Sequence, residues 1–129
     1  MMEYFEETLF DLLKAKVRQS FPLTEKLQIL HGVCKGMVYL HMRRLIHGDL
    51  HAANVLISQE SSAYIPKICD FGTTKYLEKG KDYATTKDRG KEEFMPPDVL
   101  SQSKSFKLNK ATDVLSYGCL VLHLSLRHI

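Results

Sequence analysis

Residues 47–54, with the sequence HGDLHAAN, contain the side chains of this chain that are best suited to chemistry. Asp49 and Asn54 are separated by four residues. A carboxylate can orient a hydroxyl group for attack, and carboxylate and amide oxygens are hard ligands that suit Mg²⁺. This pair alone indicates little, because Asp and Asn are also common in ordinary turns.

Two more segments with informative residue types follow in the sequence. Residues 70–72 are Asp-Phe-Gly and come directly after an apolar, strand-like run, and residues 95–98 are Met-Pro-Pro-Asp. In this order and at these intervals, the three segments resemble the catalytic loop, the metal-binding DFG motif and the A-P-E motif of protein kinases, with Asp98 in place of glutamate. The resemblance covers essentially the whole chain. Residues 47–54 are called the catalytic-loop segment below, and residues 70–72 the DFG segment.

The resemblance implies an α+β fold: the large, C-terminal lobe of a kinase, mainly helical with a few short strands, with the small lobe and the last helices missing. The chain would then be one partial kinase domain over residues 1–129. Its expected parts are the hinge and the following helix (1–17), a long helix (24–42), the catalytic loop with flanking strands (45–57), the DFG motif with the activation loop and the A-P-E-like segment (64–98), and a buried helix (110–127).

Residue patterning predicts several of these elements independently. In the long helix, with Thr24 as its N-cap, residues at i, i+3, i+4 spacing predict one buried stripe: Leu27, Leu30, Cys34, Met37, Val38 and His41. Gly32 and Gly36, one turn apart, would let another element approach this helix closely. Pro66 predicts an edge strand, because proline cannot donate to a strand ladder. Residues 72–93 lack apolar periodicity and predict a long loop. The last helix is apolar nearly all round and is predicted to be buried.

The resemblance assigns catalytic roles to individual residues. Asp49 would be the catalytic base that orients the substrate hydroxyl, assisted by Asn54 on the phosphate side. Asn54 and Asp70 would hold Mg²⁺ beside the phosphates of ATP. Asp113, at the start of the last helix, would hold the backbone of the catalytic-loop segment by hydrogen bonds.

The resemblance also assigns the nucleotide site. Leu56 would form the apolar floor under the adenine ring. Met2 would take the gatekeeper position in the hinge, and the backbone of Glu3 and Phe5 would meet the polar edge of the adenine.

The activity implied by the resemblance is transfer of the γ-phosphoryl group of ATP to a hydroxyl of a protein substrate, with ATP and Mg²⁺ as cofactors. The Ala-Ala-Asn ending of the catalytic-loop segment resembles that of cytoplasmic tyrosine kinases and favours tyrosine as the acceptor. The sequence contains no glycine-rich loop and no VAIK-type lysine, so a missing small lobe is implied as a partner. This chain alone is therefore expected to bind nucleotide weakly and to turn over very slowly.

Two alternatives stay open. Gly48 replaces the arginine that usually pairs with a phosphate on the activation loop, and His51 replaces a fixed cation. These departures favour a catalytically inactive, kinase-like module that binds or scaffolds other proteins. The other alternative is a metal hydrolase, because His47, Asp49 and His51 alternate along one segment and could bind zinc.

The composition argues against several other classes of protein. The 129 residues include 18 basic and 15 acidic side chains, and the net charge of +3 is too small to indicate nucleic-acid or membrane-surface binding. The three cysteines lie far apart, which predicts reduced thiols. No signal peptide or membrane-spanning segment is predicted, so the expected location is the cytoplasm, or the intracellular part of a larger or membrane-attached protein. Arg43 and Arg44, at the end of the long helix, are expected to be solvated.

Overall fold

The computed structural model describes residues 7–16, 21–86 and 106–126. Most of the regular structure in these ranges is helical: α1 (Leu9–Ala15), α2 (Leu23–Met42) and α3 (Lys110–Leu126). The strands are short: β1 (Glu7–Thr8), β2 (Leu45–Ile46), β3 (Val55–Glu60), β4 (Ala63–Ile68), β5 (Lys75–Tyr76), β6 (Ala84–Thr86) and β7 (Phe106–Leu108). This mainly helical arrangement with short strands confirms the predicted α+β class. None of the described helices is long and apolar enough to cross a membrane.

Three of the strands form an antiparallel sheet in the order β1-β3-β4. Ser61 and Ser62 join β3 to β4, and their φ angles of 48° and 74° are those that the tightest hairpin turns require. At the base of this hairpin, Val55 pairs with Ile68. Pro66 lies in β4, which is an edge strand within the described residues, as predicted. The hairpin therefore starts directly after the catalytic-loop segment and ends just before the DFG segment.

Helix α2 begins one residue before the predicted cap, Thr24, and its N-cap residue, Pro22, makes no side-chain hydrogen bond. Its buried residues are Ile29, Val33, Met37 and Leu40. Of the predicted stripe, Met37 alone belongs to this set, whereas Leu27 and Val38 are 53% and 52% exposed. The predicted stripe is therefore wrong. Helix α2 carries two apolar stripes with the same helical spacing, and spacing alone cannot choose between them.

The glycines of α2 explain which stripe is buried. A Cβ atom on Gly32 would overlap the ring of Pro66, at 2.8 Å from its Cδ, and one on Gly36 would lie 2.9 Å from Cδ1 of Ile68. Pro66 and Ile68 point to the same face of β4, because side chains alternate along a strand. The predicted close approach is confirmed: the sheet packs against the glycine side of α2.

Helix α3 packs with one side against α2 and the main apolar core. Asn109 precedes it, and the Oδ1 atom of this residue accepts a hydrogen bond from the Thr112 N–H at 3.0 Å. Leu120 belongs to the core, but Val114 and Leu122 on other sides of the helix are exposed. The prediction of a helix buried nearly all round is therefore wrong for the part of the chain that the structure describes. Apolar composition did not show which side meets the core.

A second, smaller apolar core lies beside the DFG segment. It contains Ile46, Leu77 and Leu108, none of which is more than 3% exposed. Around it, β5 pairs with β2, and β6 pairs with β7. The predicted loop over residues 72–93 is correct for most of its described part, which we call the post-DFG segment (residues 73–86), but two short strands, β5 and β6, interrupt it. Its strands are too short to give a periodic pattern, and their partners are distant in sequence.

Candidate active site

Asp113, in the first turn of α3, holds the backbone of the catalytic-loop segment. Its side chain is 1% exposed. Oδ2 accepts a hydrogen bond from the His47 N–H at 2.8 Å, and Oδ1 accepts one from the Gly48 N–H at 2.9 Å. Nε2 of His41, in α2, donates a third bond to Oδ2 at 2.9 Å. The predicted anchoring by Asp113 is confirmed, and one carboxylate joins α2, α3 and the catalytic-loop segment.

Gly48 occupies a backbone position that disfavours any side chain. Its φ angle is +86°, a value that L-amino acids rarely adopt. A Cβ atom here would lie 3.1 Å from both Cδ1 of Leu108 and the carbonyl oxygen of Thr73. A hydroxyl group links the catalytic-loop segment to the post-DFG segment here: Oγ1 of Thr73 donates to the His47 carbonyl at 3.0 Å. No cationic side chain extends from position 48.

The imidazole of His47 is fully buried, and its two nitrogens have different partners. Nε2 donates to the carbonyl oxygen of Cys69 at 2.9 Å, and Nδ1 accepts from the Asp49 N–H at 3.1 Å. Since a carbonyl oxygen can only accept, these partners select the neutral tautomer with its hydrogen on Nε2. The ring meets Phe71 edge-on, with 5.5 Å between centroids. His47 therefore connects the catalytic-loop segment to the DFG segment.

Asp49 and Asn54 are hydrogen-bonded to each other within the catalytic-loop segment. Nδ2 of Asn54 donates to the Asp49 carbonyl at 2.7 Å and to its carboxylate Oδ2 at 3.1 Å. Nε2 of His51 lies 3.4 Å from the other carboxylate oxygen. Nδ1 of His51 accepts from the Ala53 N–H at 3.2 Å, and its Nε2 also lies 3.1 Å from Nδ2 of Asn54. The Asp49 side chain is 17% exposed, so a hydroxyl group from solution could still reach it.

The β3–β4 hairpin brings the DFG segment next to Asn54. The Cys69 N–H donates to the Asn54 carbonyl at 2.8 Å, which extends the ladder beyond the pair of Val55 and Ile68. Asp70 follows with a φ angle of +60° and an exposed side chain. Burial, and secondly the negative charge of Asp70, raises the pKa of the Cys69 thiol. The two predicted metal ligands therefore lie at the base of one hairpin: Asn54 directly precedes β3, and Asp70 follows β4.

The donor atoms around this hairpin base fit Mg²⁺ better than zinc. Because Asn54 directs its amide nitrogen toward Asp49, its Oδ1 lies on the other side of the amide and accepts no hydrogen bond within the described residues. Asp70 adds an exposed carboxylate, and such hard oxygen donors suit Mg²⁺. In the described ranges, no group of three or more His, Cys, Asp or Glu side chains could hold a metal ion. Both nitrogens of His47 are already engaged, which argues against the zinc hypothesis.

The predicted nucleotide site is described only in part. Leu56 is half-buried in β3, on the opposite face from the buried residues of that strand. It pairs with Thr8 of β1, so it lies beside the chain that follows the predicted hinge. The other predicted positions lie outside the described residues: Met2, Glu3 and Phe5 of the hinge, and residues 95–98.

Arg44 has contacts that sequence patterning did not indicate. The expectation of a solvated helix end is wrong for this residue, because its guanidinium donates three hydrogen bonds to carbonyl oxygens in residues 77–81. Arg43 lies over the ring of Tyr39, with 4.4 Å from its Cζ to the centroid. The acceptors of Arg44 are main-chain atoms 33 to 37 residues away, and no residue type in the sequence marks them.

Comparisons with known proteins point to one family. The family model described as "Protein kinase domain" matches residues 1–129. Tyrosine-protein kinase JAK3 of Rattus norvegicus is 39% identical over 94 residues, which cover 71% of this chain and 8% of that protein. LRR receptor kinase SERK2 of Oryza sativa subsp. japonica is 35% identical over 103 residues, 78% of this chain and 16% of that protein. A putative serine/threonine-protein kinase of Helianthus annuus is 31% identical over 106 residues, 80% of this chain and 41% of that protein. The chain thus spans less than half the length of these relatives.

Proposed function

Because this chain belongs to the protein kinase superfamily, we propose that it carries the machinery that transfers the γ-phosphoryl group of ATP to a protein hydroxyl, with tyrosine as the acceptor. The observation that carries this proposal is the anchoring of the catalytic-loop backbone by Asp113. It sets Asp49 and Asn54 on one fixed turn, where they are hydrogen-bonded to each other. Phosphoryl transfer depends mainly on positioning and charge stabilisation, and a fixed turn supplies the positioning.

In this proposal each polar group of the turn has its own task. Asp49 accepts the hydrogen bond of the substrate hydroxyl and orients its oxygen toward the phosphoryl group. Asn54 and His51 keep that carboxylate in place. Oδ1 of Asn54 and the carboxylate of Asp70 would hold Mg²⁺, which would supply neutralisation of the phosphate charge. Leu56 and the predicted hinge residues would contact the adenine ring.

The proposed setting is the reducing cytoplasm, with a protein substrate and a kinase small lobe as partners. The thiols of Cys34, Cys69 and Cys119 are all free, which supports a compartment where disulfides are rare. The small lobe is proposed because the sequence contains no glycine-rich loop to cover the phosphates.

Thermal unfolding with and without ATP and Mg²⁺ tests the nucleotide site. A ligand that binds only the folded state stabilises it by RT ln(1 + [L]/Kd), about 1.4 kcal/mol at ten times Kd. We expect a metal-dependent rise in Tm for the unmodified chain and none for Asp70→Asn. Asp82→Asn is the matched control, because Asp82 is exposed and the substitution removes the same charge. The absence of any rise in the folded, unmodified chain would contradict the proposed nucleotide site.

The acceptor is tested with two peptides that differ only in carrying tyrosine or serine. The Ala-Ala-Asn ending of the catalytic-loop segment supports tyrosine, and one relative is named as a tyrosine-protein kinase, whereas another is named as a serine/threonine-protein kinase. Incorporation of phosphate into the tyrosine peptide alone is the expected result, at a low rate for this chain by itself. Incorporation into the serine peptide would assign the chain to the serine/threonine class.

A second candidate function is a kinase-like module that binds or scaffolds other proteins without catalysis. The backbone at Gly48 favours it, because a side chain there is disfavoured and position 48 therefore supplies no cation to pair with a phosphate. His51 is buried where a fixed cation is expected. A folded chain that shows no shift with ATP and Mg²⁺ and no phosphate transfer would support this second candidate.

A further inference from the structure

Arg44 lies between α2 and β2 and binds the post-DFG segment through main-chain atoms of that segment. Its Nε donates to the Leu77 carbonyl at 2.8 Å, and its Nη2 donates to the Glu78 and Lys81 carbonyls at 2.8 Å and 2.9 Å. In the opposite direction, the Arg44 carbonyl accepts from the Leu77 N–H at 2.7 Å. One residue therefore holds residues 77–81 through both its side chain and its backbone.

The segment that Arg44 binds is a tight turn with carbonyl groups to satisfy. The Lys81 N–H donates to the Glu78 carbonyl at 3.0 Å, and Gly80 supplies the positive φ angle, +85°, that such a turn needs at its third position. The Leu77 side chain is buried in the second core. Arg44 thus fixes the outer, backbone side of this turn, while Leu77 fixes its inner side.

The backbone conformation of Arg44 indicates that its side chain has a specific use. Its φ angle is +60°, in the left-handed region where glycine and asparagine are the usual residues. Such a conformation persists only where the surrounding structure fixes it. A guanidinium offers several donors in a rigid fork, which suits a set of neighbouring carbonyl oxygens better than a single ammonium group does.

The acceptors also distinguish this contact from a phosphate site. Two nitrogens of the guanidinium are engaged with neutral carbonyl oxygens, whose hydrogen-bonding capacity does not depend on any modification. By contrast, an arginine–phosphate pair orders a loop only after phosphorylation. Position 48 offers no alternative cation, since Gly48 has no side chain and its backbone disfavours one.

We propose that Arg44 is the positioning residue of the post-DFG segment and keeps that segment ordered beside the catalytic loop without phosphorylation. The use of this order for holding a protein substrate rests on the proposed function. The order itself does not, because the hydrogen bonds of Arg44 to the segment involve no nucleotide, metal or substrate.

Hydrogen exchange followed by mass spectrometry tests this proposal on the unphosphorylated chain, after phosphatase treatment. Arg44→Asn removes the guanidinium but keeps a residue that tolerates a positive φ angle. We expect the amides of residues 75–81 to exchange about ten-fold faster, or more, in this variant, because hydrogen bonds to a charged group are lost. Arg43→Asn, one residue earlier, should leave this exchange unchanged. Arg44→Lys keeps the charge and should restore only part of the protection.

Three outcomes would overturn the proposal. The first is equal exchange of residues 75–81 in the unmodified chain and in Arg44→Asn. The second is an equal acceleration in α2 and α3, which would indicate a general structural role. The third is protection that arises only after phosphorylation at the exposed Tyr83 or Thr85. The measurement needs neither ATP nor a substrate, so a failure of the proposed function and a failure of this inference give different results.

Discussion

Replacing Asp113 by asparagine alters the group that anchors the catalytic-loop segment while keeping its shape. The carboxylate accepts hydrogen bonds from the His47 N–H, the Gly48 N–H and Nε2 of His41. In its better orientation, asparagine keeps an oxygen at the Oδ2 position, where it still serves His47 and His41. Its NH₂ group then faces the Gly48 N–H. One hydrogen bond is lost, and two donors are placed against each other.

The size of the effect follows from this count. Hydrogen bonds to a charged group contribute about 1.5–3 kcal/mol each, and those to a neutral group about 1 kcal/mol. Losing one hydrogen bond to the carboxylate and weakening two others would cost roughly 4–5 kcal/mol. The lower free-energy cost of burying a neutral amide offsets part of this loss. We therefore expect Asp113→Asn to lower the free energy of unfolding by about 2–4 kcal/mol.

Urea-induced unfolding, monitored by circular dichroism, measures this difference. Asp82→Asn serves as the control, since Asp82 is exposed and its replacement should change stability by no more than about 0.5 kcal/mol. The amides of His47 and Gly48 should also exchange faster in Asp113→Asn. A loss below about 1 kcal/mol, with an unchanged dependence on urea, would refute the reasoning that this carboxylate supports the loop.

Three further substitutions test helix packing and the charge of the DFG segment. Gly32→Ala should lower the free energy of unfolding by about 1–3 kcal/mol, because its methyl group would overlap the ring of Pro66. Gly118→Ala, in α3 with no atom within 4 Å of the new methyl group, should raise the free energy of unfolding by about 0.5–1 kcal/mol. Urea unfolding measures both variants, and changes of the same sign would contradict the close contact between Gly32 and Pro66. Asp70→Asn should lower the raised pKa of the Cys69 thiol and so increase its thiolate fraction near neutral pH. Iodoacetamide should then alkylate Cys69 faster, as measured by mass spectrometry, and an unchanged rate would argue against the electrostatic contact.

Local features of the sequence predicted much of this fold and part of the site. Helix α2 begins within one residue of its predicted start, because apolar periodicity and the preceding proline are both local signals. The hydrogen bonds of Asp113 were predicted from the resemblance, which implies a buried aspartate at the start of the last helix. Gly32 and Gly36 correctly indicated a close approach, because glycine removes the side chain that would prevent it.

Non-local contacts could not be predicted in the same way. Both apolar stripes of α2 have helical spacing, and the position of β4 decides which of them is buried. The strands β5 and β6 contain two and three residues, too few to show alternation, and each depends on a distant partner. Arg44 binds carbonyl oxygens, which every residue has, so the residue types around its acceptors carry no signal.

The β3–β4 hairpin could become longer or shorter without changing the geometry at its base. The Asn54 carbonyl and the Cys69 N–H are joined at one end, and six residue pairs lie between this bond and the turn at Ser61 and Ser62. Residues added or removed in matched pairs near the turn would leave the base, and Asp70 beyond it, where they are. A single residue added to one strand would reverse the alternation beyond it and turn side chains of β4 away from α2. The number of residues between the two predicted metal ligands is therefore free to change by whole pairs, while their separation in space stays fixed.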